Sequence, residues 1–265
     1  MFNKNTFFKL SIILSTVFLQ AEYGERGIQG KRPTMEDAYC AYESDFYSFY
    51  GLFDGHGGDE VSNFVARNLL KNIEIDISKS DFKEAIIKGF QKTDDKLGDY
   101  ATSQGSTAVT AFVKDKKIVT AHVGDSRAVL CRGGIAVPLT VDHKPNRPDE
   151  KERVEKLGGR ILFFGCWRVQ GSLAVSRALG DKLLRPYVIP VPEINEFEIL
   201  PEDQFLILAC DGVWDVLTDQ EAADIVNNSL SNNKDFNLAA QSLVEAAYNA
   251  GSTDNISAVI INLSV

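Results

Sequence analysis

The segment Phe49-Tyr-Gly-Leu-Phe53 is an apolar run that leads directly into Asp54-Gly-His-Gly-Gly58. A second apolar run, Phe205-Leu-Ile-Leu-Ala-Cys210, leads in the same way into Asp211-Gly-Val-Trp-Asp215. Short apolar runs of this length predict buried β-strands. An aspartate at the end of a core strand is costly unless a cation compensates its charge. The two segments therefore predict core strands that end at a cation-binding site.

Two further acidic segments accompany them. Asp254 precedes the strand-like run from Ile256 to Leu263, and Arg32-Pro-Thr-Met-Glu-Asp37 supplies two adjacent carboxylates. Ligands that are all oxygen suit hard cations such as Mg²⁺ or Mn²⁺ rather than zinc. One Asp-Gly pair alone is best interpreted as a turn. The four segments together predict a hydrolytic or transfer site with two metals, and leave its substrate open.

The composition is that of a soluble globular protein, with 44% hydrophobic and 25% charged residues among 265. The net charge of −9 argues against a nucleic-acid-binding protein, which usually presents a basic face. No C-x-x-C pair occurs, so a thiolate zinc site and a disulfide framework are both disfavoured. We interpret all four cysteines as small buried hydrophobic residues: Cys40, Cys131, Cys166 and Cys210.

Alternating and apolar runs predict at least six strands. The turn Lys114-Asp-Lys-Lys117 joins two of them closely, which predicts antiparallel pairing because a parallel crossover needs about a dozen residues or more. The predicted strands are Phe46 to Phe53, Ser106 to Val113, Lys117 to Val123, Ala128 to Arg132, Gln204 to Cys210 and Ile256 to Leu263.

Helical periodicity follows Asp59 and Asp81, and Glu84 lies at the capping-box distance from Asp81. The other predicted helices are Asp149 to Leu157, a helix that a Thr218–Glu221 capping box opens and that continues through Val226, and Asn237 to Tyr248. Hairpins combined with amphipathic helices predict sheets packed face to face with helices outside them.

We divide the chain into an apolar leader, residues 1–21, and one domain, residues 22–265. The leader carries Lys4 and Lys9 before the apolar run Leu10 to Leu19, which is too short for a stable membrane span. Two interpretations stay open: a signal peptide cleaved after Ala21, or an N-terminal strand or helix that packs on the domain.

Three glycosylation patterns begin at Asn227, Asn255 and Asn262. Asn255 adjoins the predicted metal ligand Asp254, where a glycan would not fit. This conflict favours an intracellular location, cytoplasmic or nuclear, over entry into the secretory pathway.

The motifs resemble the protein phosphatase 2C family. Gln29-Gly-Lys-Arg-Pro-Thr-Met-Glu-Asp37 is similar to its first motif, and Phe53-Asp-Gly-His-Gly-Gly58 to its second. The resemblance continues in the family's order to about Leu263, through Gly105-Ser-Thr-Ala108, Val123-Gly-Asp-Ser-Arg127, the stretch from Asp142-His-Lys-Pro to Gly158-Gly159-Arg160, Leu173-Ala-Val-Ser-Arg-Ala-Leu-Gly-Asp181, Leu208-Ala-Cys-Asp-Gly-Val-Trp-Asp215 and Thr253-Asp-Asn-Ile-Ser257. It implies an α+β fold: two antiparallel sheets packed as a sandwich, with helices on both outer faces (α-β-β-α).

The resemblance also implies the cofactors, two Mn²⁺ or Mg²⁺ ions. Asp54 would bridge them, with the Gly55 carbonyl on one ion, while Asp211 and Asp254 complete the other. The remaining acidic ligands implied by the family's motifs are Glu36 and Asp37, on the metals or their waters, and Asp125 and Asp215, which in some members hold a third, looser metal.

The activity implied is hydrolysis of phosphoserine and phosphothreonine in proteins. Arg32 would bind the phosphate, and His56 would protonate the departing oxygen. A hydroxide between the two metals would attack phosphorus in line. Phosphoproteins are the expected partners, with no nucleic acid and no stable membrane span, and a monomer is expected.

Two other functions stay open. One is an inactive binding or regulatory module on the same fold, disfavoured because the predicted ligands are all present. The other is a metal phosphoesterase that acts on small molecules, which the local motifs alone do not exclude.

Several single residues have structural alternatives. Asp125 could cap the turn at Ser126, and Asp215 could cap the turn before the Thr218 helix. Structural roles are favoured for the histidines and arginines outside the four acidic segments: His122, His143, Arg127 and Arg177.

Overall fold

The structure, a computed structural model, describes residues 22–77 and 80–264. The predicted leader, residues 1–21, lies outside these residues, and the division of the chain into leader and domain stays a prediction. Among the described residues, none of the helices combines the length and the apolar composition that spanning a bilayer would require.

Strands occur along the whole described chain. They are β1 (Tyr23–Ile28), β2 (Ala38–Glu43), β3 (Ser48–Phe53), β4 (Gly55–His56), β5 (Gly105–Ser106), β6 (Ala108–Lys114), β7 (Lys117–Val123), β8 (Arg127–Arg132), β9 (Ile135–Pro138), β10 (Ile161–Phe164), β11 (Cys166–Val169), β12 (Leu179–Gly180), β13 (Glu193–Glu198), β14 (Asp203–Ala209) and β15 (Ile256–Asn262).

The helices lie between these strands or follow them. They are α1 (Glu60–Ile77), α2 (Phe82–Asp95), α3 (Pro148–Lys156), α4 (Asp211–Trp214), α5 (Asp219–Asn233) and α6 (Phe236–Asn249). Two short 3₁₀ turns complete the assignment, at Asp99–Thr102 and Lys182–Leu184.

Two five-stranded antiparallel sheets form the centre of the domain. The first has the order β1-β15-β14-β8-β9, and the second has the order β13-β7-β6-β3-β2. Alternate residues of both sheets meet in one fully buried layer, where Tyr50 and Leu52 of β3 join the same cluster as Leu206 and Leu208 of β14. The apolar runs predicted as core strands therefore fill the interior of a sandwich.

The outer faces of the sandwich are covered by helices. Helices α1 and α2 pack on the second sheet around Phe49 and Phe90, and α5 and α6 pack on the first sheet around Ile207 and Leu243. The α-β-β-α architecture is confirmed. The predicted Thr218–Glu221 capping box is present, with both reciprocal hydrogen bonds formed. Helix α5 continues past the predicted end to Asn233.

Strand pairing brings the acidic segments to one end of the sandwich. Helix α4 opens at Asp211 directly after Cys210, and Asp254 lies two residues before β15. Because β14 and β15 are antiparallel neighbours, with Ala209 opposite Ala258, the end of one lies beside the start of the other. Asp54 follows β3 in the facing sheet. The fold thus gathers carboxylates that are far apart in sequence.

Some local elements differ from the predictions. The edge strands β1, β2, β9 and β13 and the hairpin β10–β11 were not predicted. Charges or glycines interrupt the apolar residues of β1 and β13, and β9, β10 and β11 have only four residues each. Asp81 caps α2 by accepting from the Lys83 amide, while Glu84 pairs with Lys88 instead of returning to Asp81. The predicted cap at Asp81 is confirmed. The second hydrogen bond of a capping box, from the Asp81 amide to the Glu84 side chain, is absent from the contacts of these described residues.

Candidate metal centre and active site

A cleft of about 620 Å³ opens at this end of the sandwich. Nine of the ten predicted site residues line it: Arg32, Glu36, Asp54, Gly55, His56, Asp125, Asp211, Asp215 and Asp254. The tenth, Asp37, is buried beside it, with a carboxylate oxygen within 4.8 Å of a carboxylate oxygen of Asp54 and of the Cys210 sulfur. The structure therefore brings all the predicted residues together, while their roles stay predictions.

Three carboxylates form the centre of the cleft. One oxygen from each of Asp54, Asp125 and Asp211 lies within 4.8 Å of the others. Burial, followed by the repulsion of neighbouring aspartates, raises the pKa of Asp54 and Asp211 well above the ordinary value. Charged carboxylates so close together need a compensating cation. The raised pKa values therefore indicate that the protein's own groups do not fully balance the negative charge of this site.

Asp37 gives an independent indication of the same kind. Its side chain is buried, and neither carboxylate oxygen forms a hydrogen bond of ordinary geometry among the described residues, although Ser257 and Cys210 beside it partly offset the effect of burial on its pKa. Burial raises the pKa of Asp37 to about 6. Buried carboxylates without a partner are rare in folded proteins, because the desolvated charge is uncompensated. The donor set, all oxygen and strongly acidic, fits hard divalent cations such as Mg²⁺ and Mn²⁺.

The backbone at Gly55 approaches its neighbours too closely for a side chain. A Cβ atom there would lie 2.3 Å from the Glu36 carbonyl oxygen and 2.9 Å from the Ser62 hydroxyl oxygen. Asp54 itself is fixed by Thr107, whose hydroxyl accepts from the Asp54 amide at 3.2 Å and whose amide donates to the Asp54 carbonyl at 2.9 Å. Glycine is therefore required where the predicted carbonyl ligand stands.

Asn255 holds the Arg32–Asp37 segment against the start of β15. Its amide nitrogen donates to the carbonyl oxygens of Gln29 and Thr34, at 2.8 Å each, and its oxygen accepts from the Glu36 amide at 2.8 Å. The sequence analysis did not predict this role, although Asn255 lies inside a matched motif. Its burial, with 5% of the residue exposed, agrees with the expectation that a glycan would not fit.

Arg32 stands at the rim of the cleft. Its Nη2 atom donates to Oδ2 of Asp254 at 2.6 Å, and its side chain is 55% exposed. Burial alone would lower the pKa of Arg32, but Asp254, Asp211 and Asp54 raise it. The guanidinium thus remains charged at the mouth of a strongly acidic cleft, where a phosphate would enter.

His56 forms a pair with a residue that the sequence analysis did not single out. Its Nε2 atom lies 2.7 Å from Oδ2 of Asp181, a residue only 5% exposed. Gly105 leaves the room for this pair, because a Cβ atom there would lie 2.0 Å from Asp181 Oδ2 and 2.4 Å from His56 Nε2. Burial alone would lower the pKa of His56, but Asp181 and more distant carboxylates raise it above the ordinary value.

The two residues predicted for a third metal lie near one lysine. Asp125 is nearly buried, and its Oδ2 atom contacts the Lys144 ammonium. The hydrogen bond that the Asp125 carboxylate accepts among the described residues comes from Lys144 and not from a backbone amide of the Ser126 turn. Burial raises the pKa of Asp215, which Lys144 partly offsets.

The remaining histidines lie together away from the cleft. His122 and His143 are fully buried, with ring centroids 4.4 Å apart and planes 26° apart, and Glu193 is beside them. Although these three side chains are close enough to share an ion, nearly parallel stacked rings do not point their lone pairs at one atom. Arg147 also pairs with Glu193 at 2.9 Å. The geometry therefore favours the structural interpretation.

Both arginines expected to be structural form ion pairs. Arg127 binds Asp142 and Asp219, at 2.8 and 2.6 Å, and Arg177 binds the buried Glu150 at 2.7 Å. Of the cysteines, Cys131 and Cys210 are buried as expected, and Cys40 is partly buried. The prediction was wrong for Cys166, which is exposed on the hairpin β10–β11 and lines the cleft.

Comparisons with known proteins point to one family over most of the chain. The family model described as "Protein phosphatase 2C" matches residues 21–256. The Arabidopsis thaliana protein named "Probable protein phosphatase 2C 11" is 42% identical over 265 residues, an alignment that covers 97% of this chain and 70% of the relative.

Two solved structures have the same fold. A C. elegans sex-determining protein superposes with a TM-score of 0.85 at 29% identity, over 92% of this chain and 65% of that one. This chain therefore spans slightly less than two thirds of that protein's length. The serine-threonine phosphatase 2C of Toxoplasma gondii superposes with a TM-score of 0.80 at 24% identity, over 93% of this chain and 96% of that one.

The family model covers most of the chain, and the carboxylates that the motifs predicted converge in one cleft. Members of this family depend on metal ions and act on phosphorylated proteins. The chain belongs to the protein phosphatase 2C family and is a serine/threonine protein phosphatase.

Proposed function

We propose that this phosphatase transfers the phosphoryl group of phosphoserine and phosphothreonine directly to water, without a covalent phosphoenzyme. The observation that carries the proposal is the convergence of Asp37, Asp54 and Asp211, whose pKa values are all raised and whose charges need a cation. Oxygen ligands at this density suit a pair of hard cations, the arrangement used for in-line displacement at phosphorus.

The residues that would hold two Mg²⁺ or Mn²⁺ ions are Glu36, Asp37, Asp54, the Gly55 carbonyl, Asp211 and Asp254. Asp125 and Asp215 would contribute to a third, weaker position. When bound, such ions supply Lewis acidity, which makes water a nucleophile near neutral pH and neutralises the phosphate. The Asn255 hydrogen bonds support this assignment because they fix Glu36 against the strand that follows Asp254.

Arg32 binds the phosphate at the rim of the cleft. A guanidinium is planar and permanently charged, so it can donate two parallel hydrogen bonds to phosphate oxygens. Asp254 accepts from one terminal nitrogen and thereby holds the side chain over the cleft. Arg32 orients the phosphoester and stabilises the charge that spreads over its oxygens during transfer.

His56 protonates the departing serine or threonine oxygen. An alkoxide is a poor leaving group, so a general acid should accelerate its departure by about 10²–10⁴-fold. Asp181 accepts a hydrogen bond from Nε2 of the protonated ring, which leaves Nδ1 to donate to the substrate. Asp181 also favours the protonated ring, the form that a general acid requires.

The inactive binding module is the competing function. It would be favoured by the loss of a ligand or of the general acid, but the cleft retains Asp54, Asp211 and Asp254 together with Arg32 and His56. The complete set supports catalysis. Because Asn255 is buried and its amide is fully engaged, we also propose an intracellular location, where this position cannot be glycosylated.

The test is an assay of the full chain on a phosphothreonine peptide with Mn²⁺ or Mg²⁺, with EDTA and okadaic acid in parallel. We expect turnover that requires metal and persists in okadaic acid. A folded protein that binds metal but does not turn over the peptide would favour the binding module. Faster hydrolysis of nucleotides than of the peptide would favour a small-molecule phosphoesterase.

A further inference from the structure

The cleft contains a cation that belongs to the chain itself. The Lys144 ammonium contacts Oδ2 of Asp125, and both residues line the cleft. We propose that Lys144 occupies the third cation position, so that a divalent metal binds Asp125 only when this ammonium is displaced. Lys144 thereby weakens metal binding at that position. The inference rests on the proposed metal centre and concerns the one position where lysine and metal would compete.

The backbone holds Lys144 where it can reach Asp125. The His143 amide donates to the Gly124 carbonyl at 2.9 Å, directly beside Asp125. The His143 carbonyl accepts from the amide and the hydroxyl of Ser176, at 2.9 and 3.0 Å. These contacts fix the main chain on the residue before Lys144. The ion pair is therefore built into the fold, unlike that of a long side chain resting on an open surface.

The surroundings of Asp125 strengthen the effect of Lys144 on cation binding. Its carboxylate is within 4.8 Å of those of Asp54 and Asp211, and only 6% of its side chain is exposed. A nearby ammonium relieves repulsion among these carboxylates when no metal is bound. A divalent metal on the Asp125 carboxylate would lie close to the Lys144 ammonium, and their like charges would repel across a poorly solvated gap. Metal binding at Asp125 must therefore compete with Lys144.

The competition is specific to one position. Within residues 22–77 and 80–264, Asp125 is the proposed ligand that pairs with a lysine, and Asp254 pairs with Arg32 at the rim of the cleft. Asp37, Asp54 and Asp211 form no ion pair with lysine or arginine. Asp54 and Asp211 are thus open to divalent cations without displacing a lysine. Lys144 should affect the weak position and leave the two strong positions nearly unchanged.

The experiment measures Mn²⁺ binding to the full chain by isothermal titration calorimetry, without substrate. We compare the unaltered chain with Lys144→Met and Lys144→Arg, and with Lys156→Met as the control. Lys156 is exposed on α3 and pairs with Glu152 outside the cleft. Lys144→Met should bind Mn²⁺ at the weak position at least about tenfold more tightly, a change of about 1.4 kcal/mol. Lys144→Arg and Lys156→Met should bind as the unaltered chain does.

Asp125→Asn, combined with Lys144→Met, should remove the tightened binding and so assign it to this position. Unchanged affinity and stoichiometry in Lys144→Met would overturn the inference while leaving the metal centre intact. Absence of all Mn²⁺ binding in the unaltered, folded chain would overturn the metal centre and the inference with it. If Lys144→Met does not fold, Lys144→Gln replaces it, with the same expected tightening.

Discussion

Nε2 of His56 lies 2.7 Å from Oδ2 of the nearly buried Asp181, across the space that Gly105 leaves open. The two residues are 125 positions apart in sequence. His56 lies on β4 and Asp181 directly follows β12, and β5 pairs with both strands. A buried carboxylate on one ring nitrogen fixes the orientation of the imidazole and favours its protonated form. Asp181 is thus a positioning residue for the proposed general acid.

The first prediction concerns this pair. Asp181→Asn should lower kcat on a phosphothreonine peptide by about 10–100-fold, because the ring loses both its orientation and its stabilising charge. The loss on an aryl phosphate should be much smaller, since a phenolate leaves without protonation. His56→Gln should show the same contrast. The measurement is kcat for both substrates, with the pH profile of each variant.

A double variant separates positioning from general structural damage. If Asp181 acts through His56, Asp181→Asn should add little to the loss already caused by His56→Gln. Asp95→Asn, on the exposed face of α2, is the matched control and should leave both rates unchanged. Equal losses on peptide and aryl phosphate would contradict the role of the pair.

The second prediction concerns the carboxylate cluster, where activity and stability should change in opposite directions. Asp54→Asn or Asp211→Asn should abolish turnover because each removes a proposed metal ligand. In EDTA, each should raise the free energy of unfolding by about 1–2 kcal/mol, because one buried like charge is gone. Urea unfolding with EDTA and with saturating Mn²⁺ measures this. Normal activity, or a large loss of stability in EDTA, would argue against the assignment.

The sequence predicted the central elements of the sandwich because their residues contrast sharply with their neighbours. Phe49 to Phe53 and Phe205 to Cys210 are apolar runs bounded by acidic turns, and both form fully buried strands. Edge strands such as β1 and β13 were missed because their apolar residues are few and separated. Their residues alternate with charges and glycines, so no apolar run distinguishes them from loops.

Some residues of the candidate site could be predicted from the sequence, and others could not. The carboxylates proposed as metal ligands stand near strand ends, a position that a sequence pattern reveals. Other site residues act through contacts between distant parts of the sequence. The partners of Asp181, Lys144 and Asn255 are 125, 19 and about 220 positions away. Sequence periodicity does not reveal such contacts. Their motifs contained them, but only the folded arrangement shows which atoms they meet.

The third prediction concerns Asn255. Asn255→Ala would break three hydrogen bonds and leave the Glu36 amide and two carbonyl oxygens without this partner. We expect a loss of about 2–4 kcal/mol in the free energy of unfolding. Weaker metal binding should follow because the segment bearing Glu36 is released. Urea unfolding and Mn²⁺ titration measure the two effects.

The control for this variant is Asn232→Ala. Asn232 is exposed on α5, and its side chain donates to the Asn228 carbonyl within the same helix. It should change stability by less than about 0.5 kcal/mol and leave metal binding unaltered. Similar small effects at both asparagines would show that Asn255 does not fasten the segment.

The fourth prediction concerns pH and the stacked histidines. Burial lowers the pKa of His122 to about 4, with a further contribution from His143, whose own pKa is lowered by burial. Arg147 opposes protonation of both rings, and Glu193 favours it. In the unfolded chain the ordinary value is about 6.5. Between pH 6.5 and 4 the unfolded chain therefore binds more protons, and stability falls as the pH decreases.

For His122 alone, acidification from pH 7.5 to 5 should cost about 2 kcal/mol of unfolding free energy. His122→Asn removes this titration while keeping a polar side chain that can donate to the Val141 carbonyl, which His122 contacts at 3.0 Å. The comparison is made by urea unfolding in EDTA, where titrating carboxylates of the cleft affect both proteins equally. The unaltered protein should lose about 2 kcal/mol more than His122→Asn between the two pH values. Parallel losses would mean that the pKa of His122 is not lowered in the folded state, and that Glu193 offsets both burial and Arg147.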